Sequence, residues 1–314
     1  MKSLSQLTDF YYKDLFPTLQ ELENRRQRVK FRVILSGMVL LIVDLMVFSF
    51  FRDNLDWLLF LNIAVGSFLY KFITHDYTQE FKERVIEPLI HFIDRDLRYV
   101  EDMHISESKF INSRLFTSTP DKIEGNDYIA GMIDGVKIEL SDMHAQKRDK
   151  DSKGRSSWRT IFRGLFIITE FNKNFSGKTV VLPDSAQNSF GDLIGNWLQS
   201  HNINRDELIK MDDPEFEREF VVYGSDQIEA RYILSHSLMK RLLGFKRKSG
   251  HKVYVSFVYN NVYIAIEYGK DLFEPSVFNT LLDYKVAMDY LQTLHLAVSI
   301  RQELNIDQKI WSRV

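Results

Sequence analysis

Residues 33–51, VILSGMVLLIVDLMVFSFF, decide the first half of the fold, because their 19 residues carry one charged side chain, Asp44. A helix of this length reaches about 28 Å, the hydrocarbon thickness of a bilayer. A signal peptide is the alternative interpretation, but 32 residues precede the stretch, and no small-residue cleavage site separates it from the next apolar run. The stretch therefore predicts a membrane-spanning helix.

A second apolar run, residues 57–74, WLLFLNIAVGSFLYKFIT, follows after a connector of only five residues. So short a connector allows little more than a tight turn. The sequence therefore predicts a transmembrane hairpin over residues 33–74, built from two antiparallel helices.

Two polar residues interrupt the hairpin. Asp44 lies nine residues before Asp53 and Asn62 lies nine residues after it, so a symmetric turn places both at one depth. A carboxylate at mid-bilayer costs about 2.5 to 3.5 kcal/mol on insertion scales, so it is expected to face a partner. Asp44 and Asn62 are predicted to form an intramembrane polar pair. Such a pair acts either as an interhelical contact or as a proton or ion site in an oligomeric pore.

Basic residues flank the two spans unevenly. Eight lie on the side of the hairpin that carries the chain termini, and one, Arg52, lies in the connector. The eight are Arg25, Arg26, Arg28, Lys30, Arg32, Lys71, Lys82 and Arg84. Because positive residues stay in the cytoplasm, the prediction is a multi-pass protein of the bacterial inner membrane with both termini cytoplasmic.

Four segments follow from these patterns. Residues 1–32 read as a cytoplasmic amphipathic helix broken near Pro17, and residues 75–120 as a helical stalk interrupted at Pro88. Residues 121–314 alternate strand patterns with helical ones, which predicts a cytoplasmic α+β domain with mostly antiparallel strands and a C-terminal helix over residues 276–303. Further helices are expected over residues 186–201 and, capped by Ser225 or Asp226, over residues 227–245.

Two hairpins are expected in this domain. One turns at Asp134 and Gly135, and the other turns at Asn260 and Asn261, whose side chains tolerate a positive φ. The polar segment of residues 147–157, KRDKDSKGRSS, is predicted to be an exposed loop between strands.

Composition excludes several classes of function. The 43 acidic residues balance 41 basic ones, which argues against a nucleic-acid partner, and zero cysteines exclude thiol nucleophiles and zinc ribbons. No Walker loop, dinucleotide fingerprint or metal-binding histidine motif is present, so neither a cofactor nor a metal is predicted.

Two groups of residues remain as candidate sites. Asp142 and His144 lie two apart at an expected strand end, where they share a face and could act in catalysis or bind a metal; a solvated strand end is the alternative. The predicted loop and the residues after it form the second group, whose basic charge suggests a contact with an anionic leaflet or an ordinary solvated loop. Its members are Lys147, Arg148, Lys150, Lys153, Arg155, Trp158 and Arg159.

Two blocks, GNDYIAGMIDGVKIELSDMHAQ at residues 125–146 and DDPEFEREFVVYGSDQIEARYILSHSLMKRLL at residues 212–243, resemble an uncharacterised bacterial family, domain of unknown function 3137 (DUF3137). The resemblance implies two early spans and a cytoplasmic α+β region along nearly the whole chain. It implies no activity and no catalytic residue. It also implies a LemA-type membrane protein as a partner.

These observations predict a membrane-anchored cytoplasmic adaptor or regulatory domain that works through protein or lipid contacts and without catalysis. The alternative is a membrane-tethered hydrolase with its site near Asp142 and His144. An oligomer is compatible with either function.

Overall fold

The computed structural model describes residues 4–50, 56–133, 135–150, 154–171, 175–184, 207–283 and 293. The chain divides into two compact units. Unit 1 comprises Met1–Ile93 with Phe273–Leu291, and unit 2 comprises Asp94–Leu272 with Gln292–Val314.

The described part of unit 1 is helical through residue 93. Its helices are α1 (Leu4–Phe10), α2 (Phe16–Phe50), α3 (Asp56–Phe81) and α4 (Glu87–Ile93). Helices α2 and α3 are antiparallel: a Cβ on Gly66 would contact Leu40 at 4.0 Å, and Arg84, in the turn that follows α3, pairs with Glu21 of α2.

Two π-helical turns, Tyr11–Leu15 and Lys82–Ile86, each end two residues before a proline, Pro17 and Pro88 respectively. Proline lacks an N–H and its ring clashes with the carbonyl four residues earlier, so an α-helix cannot continue unchanged through it. Here the helix widens by one residue per turn: Phe16 N–H bonds the Tyr11 carbonyl. The breaks that the sequence predicts at these prolines are therefore π-turns within continuous helices.

A buried ion pair fastens residues 273–283 to α2 within unit 1. Arg26, 2% exposed, donates Nε and Nη2 to the Glu23 carboxylate at 2.9 and 2.6 Å and Nη1 to the Val277 carbonyl at 2.6 Å. Leu281 N–H donates to Glu23 at 3.0 Å. The hydrogen bonds from Arg26 lower the pKa of Glu23 to about 2.

These contacts correct the predicted start of the C-terminal helix. Residues 276–283 are not helical, because side chains accept the hydrogen bonds of their amides: Ser276 accepts from Asn279, Thr280 accepts from Leu282, and Glu23 accepts from Leu281. Apart from the helical residue 293, the rest of that predicted helix lies outside the described residues, as does the helix predicted over residues 186–201.

The described part of unit 2 is an antiparallel sheet with short helices, which confirms the α+β class. Strand order in the nine-stranded sheet is β1-β2-β3-β4-β9-β8-β5-β7-β6, and every neighbouring pair is antiparallel. The strands are β1 (Arg98–Val100), β2 (Lys122–Ile133), β3 (Val136–Lys150), β4 (Ser156–Glu170), β5 (Lys178–Pro183), β6 (Glu207–Ile209), β7 (Phe220–Gly224), β8 (Lys252–Val258) and β9 (Asn261–Glu267). The helices are α5 (Glu107–Asn112), α6 (Pro214–Glu219), α7 (Gln227–Ile233) and α8 (His236–Ser249).

One face of the sheet carries an aromatic cluster that anchors its centre. Phe110 of α5 contacts Phe162 and Phe166 of β4, with ring centroids 6.2 and 5.1 Å apart, and all three rings are buried. Met143 of β3 and Ala265 of β9 belong to the same cluster. Alternate residues of β3 therefore point into an apolar layer, and Asp142 and His144 point to the opposite face.

Three sequence predictions in unit 2 are revised. Residues 98–100 of the predicted stalk form β1, which pairs with residues 128–130 of β2. Within the polar segment of residues 147–157, residues 147–150 end β3 and residues 156–157 begin β4, because the backbone ladder of the two strands continues to the pair Lys150 and Ser156; residues 151–153 lie outside the described residues. The helix expected over residues 227–245 is two helices: Asp226 caps α7, and Ser235 caps α8.

The hairpin between β8 and β9 turns one residue earlier than predicted. Val258 pairs with Asn261, so the turn residues are Tyr259 and Asn260, and Tyr259 has φ +57°. Asn261 instead begins β9. The left-handed conformation thus falls on a tyrosine, for which it is costly.

Candidate functional site

The apolar stretch of α2 contacts α3 along one side and is otherwise exposed. Among the described residues, one helical run, Thr8–Phe48, is long and apolar enough to cross a membrane, and its apolar window is not buried. The large side chains along it that are 44% to 61% exposed are Ile34, Leu35, Met38, Val39, Leu41, Ile42, Val43, Leu45, Met46 and Phe48. The connector of residues 51–55 lies outside the described residues, as do the side chains of residues 56–59 at the start of α3.

The structure brings Asp44 and Asn62 together. Asn62 Nδ2 donates to Asp44 Oδ2 at 2.9 Å across the α2–α3 contact. The surrounding helix faces carry exposed apolar side chains, such as Leu45 and Ile63 at about three-fifths exposed. The carboxylate therefore has a polar partner within an otherwise apolar surface.

The described basic residues of the predicted surface patch lie at two paired strand ends, which we call the basic ribbon: residues 147–150, which end β3, and residues 155–159, which are Arg155 and the first four residues of β4. In the register of the two strands, Arg148 lies opposite Trp158, and Lys150 lies opposite Ser156. Trp158 is 51% exposed. Arg159 Nε donates to Asp149 at 2.7 Å, so this arginine is neutralised locally. Lys153 lies outside the described residues.

Asp142 lies in the middle of β3 rather than at a strand end, opposite Leu165 of β4 and Asn126 of β2. Its carboxyl is 2% exposed, and Oδ2 accepts a hydrogen bond from Leu272 N–H at 2.7 Å. Burial raises the pKa of Asp142 to about 7, and the nearby Asp271 and Asp127 act in the same direction. This carboxyl is therefore partly protonated near neutral pH.

His144 lies two residues after Asp142 on β3. Its Nε2 shares a hydrogen bond with Thr160 Oγ1 at 3.0 Å. Burial lowers the pKa of His144, and Arg163 lowers it further. Among the described residues no hydrogen bond joins Asp142 to His144.

The sequence analysis did not predict that residues 268–272 pack against Asp142. Arg163 Nη2 donates to both oxygens of Asp271 at 3.0 Å, and Tyr268 and Gly269 N–H groups donate to the Arg163 carbonyl. Gly164, with φ +150°, allows its backbone to lie this close to the end of β9, because a Cβ on residue 164 would overlap the Ile266 carbonyl. A glycine inside a strand pattern was the available signal for this site.

The arrangement offers a proton-binding carboxyl but little access to it. Among the described residues, no group of three or more histidine, aspartate or glutamate side chains could hold a metal ion. The carboxyl of Asp142, whose pKa lies near 7, accepts a hydrogen bond from the backbone amide of Leu272. This geometry suits a buried structural contact better than an open catalytic site.

Comparison with known proteins gives one family. Residues 160–306 match the model of DUF3137, described as a protein of unknown function. The match contains the second block of residues 212–243 and does not contain the first block or the α2 and α3 helices, so it is narrower than the sequence resemblance implied.

No curated protein matches the chain. Among solved structures, the crystal structure of the mycobacterial trehalose monomycolate transport factor A, TtfA, is 10% identical, with a TM-score of 0.35; the match covers 64% of this chain and 86% of that one. Residues 160–306 are the part of the chain that is similar to the DUF3137 family.

Proposed function

We propose that the protein is a membrane-anchored cytoplasmic adaptor or regulatory domain that acts through protein or lipid contacts. The observation that carries this proposal is the uncovered apolar surface of α2, whose large side chains between Ile34 and Phe48 are about half exposed. Exposed apolar patches this large are not stable in water and are stable in a bilayer.

In this proposal α2 and α3 both span the bilayer. Support comes from α3, a helix of 26 residues that runs antiparallel to α2 and exposes Phe60, Phe68 and Phe72 by 68% to 75%. The exclusion of basic residues from the connector, except Arg52, supports cytoplasmic termini.

The basic ribbon supports a contact of unit 2 with an anionic leaflet. Arg148 and Lys150 are exposed and have no ion pair among the described residues, and they lie beside the exposed Trp158. Each basic residue near an anionic surface contributes about 1 kcal/mol of attraction. A LemA-type membrane protein is the protein partner that the family resemblance suggests.

The anchoring can be tested by cysteine labelling, since the chain has no cysteine of its own. We expect alkaline carbonate to leave the full chain in the membrane pellet. We expect a membrane-impermeant maleimide to label Asn54→Cys in intact cells and Ser106→Cys only after permeabilisation. Extraction by carbonate would overturn the anchoring, and labelling of Ser106→Cys in intact cells would overturn the orientation.

A membrane-tethered hydrolase is the second candidate, favoured by the pKa of Asp142 near 7. It predicts that Asp142→Asn and His144→Ala each abolish hydrolysis of a panel of nitrophenyl esters and phosphates by the full chain. The adaptor proposal predicts no hydrolysis above that of the buffer for any of the three proteins.

A further inference from the structure

A cavity lies between α2 and α3 just beyond their apolar stretches. Its volume is about 230 Å³, and it is lined by Arg25, Arg28, Val29 and Arg32 of α2 and by Ile73, Asp76 and Tyr77 of α3. Arg32 immediately precedes the apolar run of α2, and Asp76 follows the apolar run of α3 by two residues. If the two helices span the bilayer as proposed above, the cavity opens at the level of the cytoplasmic headgroups.

The charge of this cavity is only partly neutralised by the protein. Arg25 pairs with Glu80, whereas the neighbouring Arg26 is occupied with Glu23 on another face of the helix. Arg28 and Arg32 are exposed, lie one helical turn apart and have no ion pair within the described part of the chain. Asp76 is the single acidic lining residue. Among the described residues, the cavity thus presents two guanidinium groups without an ion pair, those of Arg28 and Arg32, against one carboxylate.

Two like charges one turn apart repel, so bringing Arg28 and Arg32 together is unfavourable without an anion. Guanidinium forks match phosphate oxygens in geometry and bind them by charge-assisted hydrogen bonds. The cavity has room for several waters. That volume suits a phosphate and its ester carbons, while the acyl chains would lie along the apolar helix faces.

We propose that this cavity binds the phosphodiester of an anionic phospholipid from the cytoplasmic leaflet, with Arg28 and Arg32 on the phosphate oxygens. Asp76 repels a second negative charge, so a singly charged diester is preferred to a doubly charged monoester. The site rests on the proposed membrane anchoring. It would hold the base of the hairpin at a fixed depth.

The test measures lipid bound to the purified full chain by native mass spectrometry, after extraction in a neutral detergent and titration with phosphatidylglycerol, phosphatidic acid or phosphatidylcholine. We expect one tightly held phosphatidylglycerol per chain. The double variant Arg28→Gln with Arg32→Gln is expected to weaken it at least about tenfold. Asp76→Asn is expected to raise the affinity for phosphatidic acid relative to phosphatidylglycerol.

The matched control is Lys30→Gln with Lys71→Gln, which removes two charges near the same level of the helices but outside the cavity. We expect it to retain the lipid as the wild type does. If both double variants lost phosphatidylglycerol equally, the binding would depend on general surface charge, and the proposed site would be wrong. Equally tight binding of inorganic phosphate, measured by competition, would replace the lipid with a free anion.

Carbonate extraction of the same variants separates the two proposals. If the chain is integrated in the membrane and Arg28→Gln with Arg32→Gln binds lipid normally, the cavity proposal is wrong and the anchoring stands. If the wild-type chain is extracted by carbonate, the anchoring itself is wrong.

Discussion

Asn62 donates a hydrogen bond of 2.9 Å to Asp44 across the antiparallel contact of α2 and α3. The same register brings Gly66 beside Leu40 and Arg84 beside Glu21. The polar pair therefore lies at a fixed position in a continuous helix–helix contact. The hydrogen bond supplies the partner that a carboxylate in an apolar setting requires.

Removing either member of this pair is expected to weaken the helix contact slightly. Hydrogen bonds between membrane helices contribute about 0.6 kcal/mol on average and up to about 1.7 kcal/mol. Asp44→Leu should lower the rate at which a Leu40→Cys, Gly66→Cys pair cross-links, whereas Asp44→Asn, which can still accept a hydrogen bond, should not. Unchanged cross-linking in Asp44→Leu would show that the pair adds nothing to association. A proton flux in proteoliposomes that Asp44→Asn abolishes would favour the ion-site interpretation instead.

The basic ribbon is expected to touch anionic membranes in a salt-dependent way. The Debye length falls from about 10 Å at 0.1 M salt to about 3 Å at 1 M, so a surface attraction should fade over that range. An environment-sensitive fluorophore on Ser157→Cys of the full chain should shift to the blue in anionic liposomes at low salt, and not at high salt or in neutral liposomes. Arg148→Glu with Lys150→Glu should remove the shift.

A matched pair of charge reversals, Lys240→Glu with Lys270→Glu, changes two exposed lysines of unit 2 outside the ribbon. We expect it to leave the fluorophore signal as in the wild type. An identical signal in neutral and anionic liposomes would exclude an electrostatic contact.

Asp142 is expected to make the free energy of unfolding depend on pH. Burial raises its pKa from 3.8 to about 7, so between these values the folded state binds a proton that the unfolded state has lost. The contribution of this group to stability therefore falls as the pH rises from about 4 to about 7 and is constant above that range. Three pKa units correspond to about 4 kcal/mol as an order of magnitude.

Asp142→Asn keeps an oxygen acceptor for Leu272 N–H and carries no charge. The free energy of unfolding of Asp142→Asn, measured on the full chain in detergent, should not show the fall that Asp142 causes in the wild type between about pH 4 and about pH 7. The variant should therefore become more stable relative to the wild type as the pH rises through this range. Asp142→Leu also carries no charge but leaves the buried amide unpaired, so it should be about 1 to 3 kcal/mol less stable than Asp142→Asn at every pH. Parallel pH profiles for the wild type and Asp142→Asn would contradict the assigned cause.

The turn between β8 and β9 offers a stabilising substitution. Tyr259 has φ +57°, where a residue other than glycine, asparagine or aspartate costs about 1 to 2 kcal/mol, and its ring is 65% exposed. Tyr259→Asn should therefore raise the free energy of unfolding by about 1 kcal/mol, measured as a higher Tm. Tyr259→Ala removes the same ring, but alanine does not tolerate a positive φ, so this variant should show no increase in the free energy of unfolding.

The sequence by itself determined the elements whose signal is local. The apolar run of residues 33–51 predicts a helix, and α2 contains all but the last of those residues. The alternating apolar patterns within residues 121–314 and the expected hairpins predict an antiparallel α+β domain, and strands β2 to β9 lie in that range. The prolines at positions 17 and 88 marked where a helix must deviate, although only the structure shows that it widens into a π-turn.

The tertiary structure decided what depends on contacts between distant residues. The polar ends of β3 and β4 are extended because their backbones hydrogen-bond to each other. The polarity of the side chains does not reveal this backbone pairing. Residues 276–283 are not helical because Glu23, more than 250 residues away in the chain, binds the Leu281 amide. Asp142 has a raised pKa because the segment ending at Leu272 closes over it. Burial and long-range hydrogen bonds are properties of the packed chain, and residue spacing alone does not encode them.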